Sequence, residues 1–233
     1  MINELTLAIP YYNASNLIPI QLECWSAYSD EIKQKLKIVL IDDCSSDEHK
    51  LAKVFSRIPD LNIEIYEVVE DLPWNDGGAS NLSVFVATTE WVIRTDMDYI
   101  VPGNTIEYIL SNTFDPQMYY TMAAKYFHNK QNIEIHPSTL LITKKLFFDA
   151  GAYDEDFTGN HGWTDVNFRD RLDRISKHQH INNIWIEGVL GGSKHTLPRN
   201  VDSINYKILL KKKKEGLPIP TSHLRFNWQK VAL

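Results

Sequence analysis

An apolar run, Trp91 to Ile93, leads through Arg94 and Thr95 into Asp96–Met97–Asp98. Aspartate is a poor strand residue, and in extended backbone the side chains of residues i and i+2 point to one side. Two carboxylates in that spacing repel each other and call for a cation. Their oxygens suit a hard divalent ion, Mg2+ or Mn2+, which keeps open positions for phosphate oxygens, here those of a diphosphate. The plainer alternative is a strand end whose carboxylates cap the next turn. A second acidic pair, Asp42–Asp43, ends the run KIVLID and precedes Ser45 and Ser46. One of these two aspartates would start a helix, while the other would face a crevice where it can accept a proton donor from a base or ribose. Asp165 lies in the first turn of a helix-like segment, WTDVNFRDRLDRISK. There it either complements the helix dipole, worth ~0.3 to 1 kcal/mol, or faces the crevice if Phe168 and Leu172 face the core.

The elements that must position these groups follow from the pattern of apolar runs. LTLAIP, KIVLID, NIEIYEVVE and WVIRT read as strands, separated by helix-like segments over Ala14 to Ser29, over CSSDEHKLAKVFSRI and over Asn81 to Thr89. This alternation predicts an α/β fold with a mostly parallel sheet, in which ligands bind at the carboxyl ends of the strands. Beyond Pro102 the alternation weakens: MYYTMAAKYF, NIEIH, TLLITK and INNIWIEGV predict a mixed sheet, with helices over KKLFFDAGAYDEDF, over the Asp165 segment and over Ser203 to Glu215. The prolines of GLPIPTSHLRFNW point to an extended tail. We expect one domain over 1–233: a nucleotide-binding half (1–100), an acceptor half (101–200) and a C-terminal helix with its tail (201–233).

The 233 residues, 43% hydrophobic, suffice for a substantial core. A formal charge of -6 gives no general attraction to nucleic acid. Two cysteines without metal-ligand spacing fit a reducing compartment, no apolar stretch approaches the ~20 residues of a bilayer span, and MINELTLAIP lacks the order of a signal peptide. The expectation is a cytoplasmic protein without a transmembrane segment. Lys211 to Lys214 form a basic run, read as a solvated helix end with weak membrane-surface or glycolipid association as the alternative.

LAIPYYN, IVLIDDCSSD, DGGASNLSVFVATTEWVIRTDMDYIVP and GAYDEDFTGNHGWTDVNFRDRL stand in the order and at the approximate distances of inverting, family-two-like glycosyltransferases of the GT-A fold. The resemblance covers roughly Leu5 to Leu172. It implies a Rossmann-like, mostly parallel central sheet flanked by helices, with a mixed-sheet acceptor half. Pro10, Tyr12, Asn13 and Asp43 would then line the donor pocket, with Asp43 on the base, most often uracil. Asn81, in the loop that precedes the Asp-x-Asp, would join them. Asp96 and Asp98 would hold Mn2+ or Mg2+ and the nucleotide-sugar donor. Asp165 would be the catalytic base, and Trp163 with Thr164 would meet a carbohydrate or glycolipid acceptor. His195 would complete the metal site, as a histidine there does in many relatives. The chain departs from the family where Ala79–Ser80–Asn81–Leu82–Ser83 replaces Ala-Arg-Asn-x-Gly, and where Thr164 replaces a common glutamate. Arg94 could return a positive charge near the donor, or could pair at the surface; His128 and His136 read as structural.

Two rivals remain. A strand followed by Asp-x-Asp also describes a phosphatase of the haloacid-dehalogenase type with Asp96 as nucleophile, although that loop belongs near a chain start. A non-catalytic nucleotide-sugar-binding domain would keep the fold without turnover.

Overall fold

Leu5–Tyr11, strand β1, is apolar along nearly its whole length because it lies at the centre of the sheet with both faces covered. Leu5, Leu7 and Ile9 join the core of one face with Trp25 and Ile106, while Ala8 joins that of the other with Val92, Phe147 and Phe168. The computed structural model describes residues 1–55, 60–126, 131–133 (backbone only), 135–189 and 203–232. β2 (Leu36–Asp42), β3 (Asn62–Val68) and β4 (Trp91–Arg94) run parallel to β1 in the order β3-β2-β1-β4. The crossovers are α1 (Ile18–Ser26) with α2 (Asp30–Lys35), then α3 (Leu51–Val54), then α4 (Asp76–Val86).

The second half is mixed, as the sequence predicts. It comprises β5 (Tyr99–Ile100), α5 (Gly103–Ser111), β6 (Met118–Tyr126), β7 (Gln131–Ile133), β8 (Leu140–Thr143), α6 (Lys144–Asp149), α7 (Thr164–Ile175), β9 (Lys177–Gly188), α8 (Ile204–Lys214) and β10 (Trp228–Val231). Among the described residues all ten strands form one sheet, ordered β10-β3-β2-β1-β4-β8-β6-β9-β5 with β7 on β6. β4 pairs antiparallel with β8, and β6 pairs parallel with β9.

Four sequence expectations change. The helix predicted after β2 shrinks to the single turn α3, because the Asp42 carboxylate accepts the amides of both Ser45 (2.9 Å) and Leu51 (2.8 Å) and folds the segment between them into turns. α4 begins five residues before the predicted Asn81, despite two glycines of poor helix propensity. Those glycines serve close approach: a Cβ on Gly78 would stand 2.2 Å from Asn75 Oδ1, and one on Gly77 3.1 Å from Thr164 Cγ2. β4 stops at Arg94, so Asp96 and Asp98 are not strand residues; the amide of Tyr99 bonds the carbonyl of Asp96 (3.1 Å) and closes a turn around them. The side-by-side placement inferred from extended backbone therefore does not apply. Finally, the tail is extended, as its prolines imply, but it also packs back on the domain. Glu155, buried, accepts the amides of Leu224 (2.7 Å) and Arg225 (3.0 Å), Phe226 enters a core cluster, and β10 pairs antiparallel with β3.

Candidate active site

The carboxyl ends of β1, β2 and β4 release their loops at one edge of the sheet. Asn13, directly beyond β1, adopts a left-handed φ of 47°, tolerable for asparagine. Its Oδ1 accepts from the Ser46 amide (2.8 Å), and its own amide donates to Ser45 Oγ (2.9 Å), which ties the first loop to the second. Pro10, half-buried, pairs with Ile41 in the ladder, and Tyr12 next to it projects outward, 52% exposed. Of the acidic pair, Asp42 is the one consumed by capping. Asp43 is buried yet aimed at the loop before α4, where Asn75 Nδ2 donates to it at 2.8 Å. Burial pushes its carboxyl up to about 7; the Asn75 bond opposes this, and Asp76, Asp42 and Asp71 add to it. Asp71 and Asp43 also raise the Tyr12 hydroxyl, after burial. Tyr12, Asp43 and Asp71 thus share one electrostatic neighbourhood.

Beside it lies a second cluster, centred on Arg94. A guanidinium in a strand that is otherwise apolar must find partners, and this one has them: Ser80 Oγ accepts from Nε (3.1 Å) and Nη2 (2.7 Å), the Ser138 carbonyl from Nη1 (3.0 Å), and Asp96 Oδ1 stands 2.8 Å from Nη1. The Tyr153 ring lies below it, 5.4 Å to the centroid. Burial works against its charge, but Asp96, Tyr153, Asp76 and Asp165 outweigh that effect and hold the guanidinium above its ordinary value. Asp76, the first residue of α4, is open to solvent, yet the surrounding protein raises its carboxyl to about 6, with Arg94 lowering it and Asp96 and Asp165 raising it. His136 is buried, its ring 4.1 Å from that of Tyr99. Burial pulls it down to about 4, against the nearby Asp96 and Asp165. Its Nδ1 accepts the Thr139 amide (3.1 Å), so the neutral ring carries its proton on Nε2.

α7 brings Asp165 to this cluster. Phe168 and Leu172 are completely buried on its inner face, and Asp165, half-buried in the first turn, accepts the Val166 amide at 2.9 Å. Asp165 acts electrostatically on Asp76, Arg94, His136 and Tyr153 alike, so five segments far apart in sequence share one charged neighbourhood. Trp163, which caps α7 at φ 70°, packs on Tyr206 of α8 with ring centroids 4.8 Å apart. Thr164, buried, packs against Gly77 and joins the N-termini of α7 and α4. Trp74 and His161 meet edge to face at 5.0 Å. Asn13, Cys44, Trp74 and Trp163, all non-glycine residues at positive φ, flank these loops; such strain gathers at functional sites.

Three expectations are corrected or left aside. Asn81 does not reach the crevice: it is completely buried, bonded to the carbonyl and amide of Tyr153 (2.9 and 2.8 Å) and to Glu155 (3.0 Å). It fixes the segment before α7 and has no amide group left for a donor. His195, with Lys194, lies outside the described residues. The lysine run is partly consumed in ion pairs, Lys212 with Asp154 (2.7 Å) and Asp156 (2.6 Å) and Lys213 with Asp170 (2.9 Å). Asp76 was not singled out in the sequence, and His136 was read as structural; the signal available for the first was an acidic residue opening a helix through two glycines.

With this geometry in place, comparison with known proteins is decisive. The sequence model of Glycosyl transferase family 2 matches residues 6–176. The chain belongs to glycosyl transferase family 2. This family 2 chain is similar, at 31% identity over 93 residues, to the amylovoran biosynthesis glycosyltransferase AmsB of Erwinia amylovora, a stretch that is 40% of the chain and 30% of the relative. Its fold is similar to that of S. aureus TarS 1-349 in complex with UDP-GlcNAc, with a TM-score of 0.67 and 15% identity over 82% of this chain and 60% of the other. It is also similar to the mannosyltransferase PcManGT from Pyrobaculum calidifontis in complex with GDP-Man and Mn2+, with a TM-score of 0.63 and 20% identity over 84% and 59%. These likenesses establish the GT-A fold expected from the sequence. The chain spans less than a third of the curated relative and about 60% of each of the two structures.

Among the described residues no three His, Cys, Asp or Glu stand together as a complete ligand set. Carboxylates nevertheless outnumber the positive charge, since Asp76, Asp96 and Asp165 share Arg94. Hard oxygen donors in excess negative charge fit Mg2+ or Mn2+ whose remaining positions are filled by phosphate and water.

Proposed function

We propose that the chain is a metal-dependent inverting glycosyltransferase, which moves a sugar from a nucleotide-diphosphate donor, a UDP-sugar, to a hydroxyl of a glycan or glycoconjugate in polysaccharide assembly. One observation carries this reading: the convergence of Asp76, Arg94, Asp96, His136 and Asp165 at the carboxyl edge of a parallel sheet in a family 2 chain. Asp43 and Tyr12, in the neighbouring recess, would take the base; the Asp43 carboxylate accepts an imide N–H such as that of uracil. Asp96 and Asp98 would hold Mn2+ or Mg2+, with His195 as a further ligand. When bound, the ion would offset the charge that develops on the departing diphosphate.

Asp165 accepts the proton of the acceptor hydroxyl, which attacks the anomeric carbon from the side opposite the leaving group, so the configuration inverts. Burial of Phe168 and Leu172 fixes the helix that aims it. Trp163 would offer its face to the acceptor sugar, with Thr164 behind it. The His136 Nε2–H adds a neutral proton donor beside Asp96 and Asp165, where oxygen atoms of a substrate would sit. In-line placement of donor and acceptor supplies much of the remaining rate.

A thermal-shift screen of UDP- and GDP-sugars, with and without Mn2+, tests the reading. At a donor concentration one hundred times Kd, binding should add about 2.7 kcal/mol of stability, and the gain should need the ion. No stabilisation by any nucleotide sugar in the presence of Mn2+ would overturn it.

A further inference from the structure

Arg94 is the buried cation at the point where the acidic loops converge, and four contacts hold its guanidinium. Ser80 on α4 accepts from Nε and Nη2, the Ser138 carbonyl accepts from Nη1, and Asp96 Oδ1 forms an ion pair with Nη1 at 2.8 Å. Arg94 has 4% of its side-chain surface exposed and Asp96 31%. The cation is therefore enclosed by protein, while the carboxylate it grips is open to the crevice. An arginine fork suits this geometry, because it can hold a hydroxyl and a carboxylate at once in fixed directions; a lysine ammonium cannot.

We infer that Arg94, seated by Ser80, is a positioning residue: it aims Asp96 into the crevice and acts as that carboxylate's resident counter-ion until a donor and its divalent ion arrive. The inference rests on the proposed transferase reading and deepens it. Asp96 can serve either Arg94 or an incoming cation, so Arg94 weakens the binding of a bare divalent ion. The same guanidinium would favour the complex of ion and diphosphate, because its positive charge lies directly behind Asp96 and would offset part of the phosphates' negative charge, and the orientation of Asp96 is already set. Removing it should strengthen one and weaken the other. A residue that serves only packing would, when replaced, weaken both.

The experiment measures three quantities on the full chain: Mn2+ affinity without nucleotide by calorimetry, UDP affinity at saturating Mn2+, and kcat and KM for transfer. For Arg94→Met we expect Mn2+ alone to bind about three- to tenfold more tightly, UDP at least tenfold more weakly, and kcat to fall at least tenfold. Arg94→Lys should keep part of the UDP affinity but not kcat. Ser80→Ala, which leaves the charge and loosens its seat, should lower kcat about three- to tenfold with KM for the donor within twofold. Should Arg94→Met fail to fold, Arg94→Lys and Ser80→Ala carry the test. Parallel loss of Mn2+ and UDP affinity, or no change in any of the three quantities, overturns the inference. If the unmodified chain binds no nucleotide sugar at all, it is the transferase reading that fails, and the Mn2+ affinities of the variants still decide whether Arg94 restrains Asp96.

Discussion

Asn75 Nδ2 donates to the Asp43 carboxylate at 2.8 Å, and this bond joins the loop after β2 to the start of α4. It eases the burial of Asp43, whose carboxyl is pushed up to about 7. Between pH 4 and 7 the folded chain therefore keeps a proton that the unfolded chain has released. The sign follows: the stability due to this group is present at low pH and lost as pH rises to 7. His136, lowered to about 4, acts the other way. The unfolded chain takes up its proton below about 6.5 while the folded chain stays neutral, so that stability is lost as pH falls from 6.5 to 4. Asp76, raised to about 6, slopes the same way as Asp43. Relative to the unmodified chain, Asp43→Asn should therefore gain stability as pH rises from 4 to 7, and His136→Gln should lose stability as pH rises from 4 to 6.5, each change being roughly 1 to 4 kcal/mol across the window. Urea denaturation at several pH values reads both, and changes of slope of equal sign in the two variants would refute the assignment.

Asn81 makes three interactions from a completely buried side chain. Asn81→Ala should cost about 2 to 4 kcal/mol of stability, because the amide and carbonyl of Tyr153 lose their partners in a place water cannot reach. Donor affinity of the folded protein should stay within twofold. A large loss of nucleotide affinity at unchanged stability would return Asn81 to the donor site.

Much of the fold was legible before any coordinates. Short apolar runs with turn residues between them marked β1 to β4, and the period of Phe168 and Leu172 fixed the inward face of α7, hence the outward face of Asp165. What was not legible depended on contacts between distant residues. Nothing local tells that the Asp42 carboxylate would collect two amides and cut a helix to one turn, or that a tail with prolines would find Glu155 and then the edge of β3. Asn81 sits in a stretch that resembles a donor-binding loop, yet its direction is set by Tyr153 and Glu155, which lie over seventy residues away. Arg94 gave a signal, since a charge inside an apolar strand needs a partner, but that partner is Ser80 across a helix and Asp96 across a turn. Asp76 was hidden because an acidic residue at a helix start already has a sufficient local reason.

Glu155 anchors the tail through the amides of Leu224 and Arg225 while also holding Asn81. Glu155→Gln turns one acceptor oxygen into a donor that faces donors. We expect a loss of about 2 to 4 kcal/mol and faster proteolysis within residues 217–233, read by limited digestion and mass spectrometry. Unchanged digestion kinetics would show that β10 alone secures the tail.

In the proposed reaction Asp165 is the base of a sugar-transfer site built around Arg94 and Asp96. The most direct test of that role is Asp165→Asn, assayed side by side for transfer and for donor binding with Mn2+. Transfer should fall about a thousandfold or more, as expected when a general base is removed from a step it dominates, with donor affinity within about threefold of the unmodified chain. Substantial residual transfer, or loss of donor binding in proportion to loss of transfer, would contradict that role.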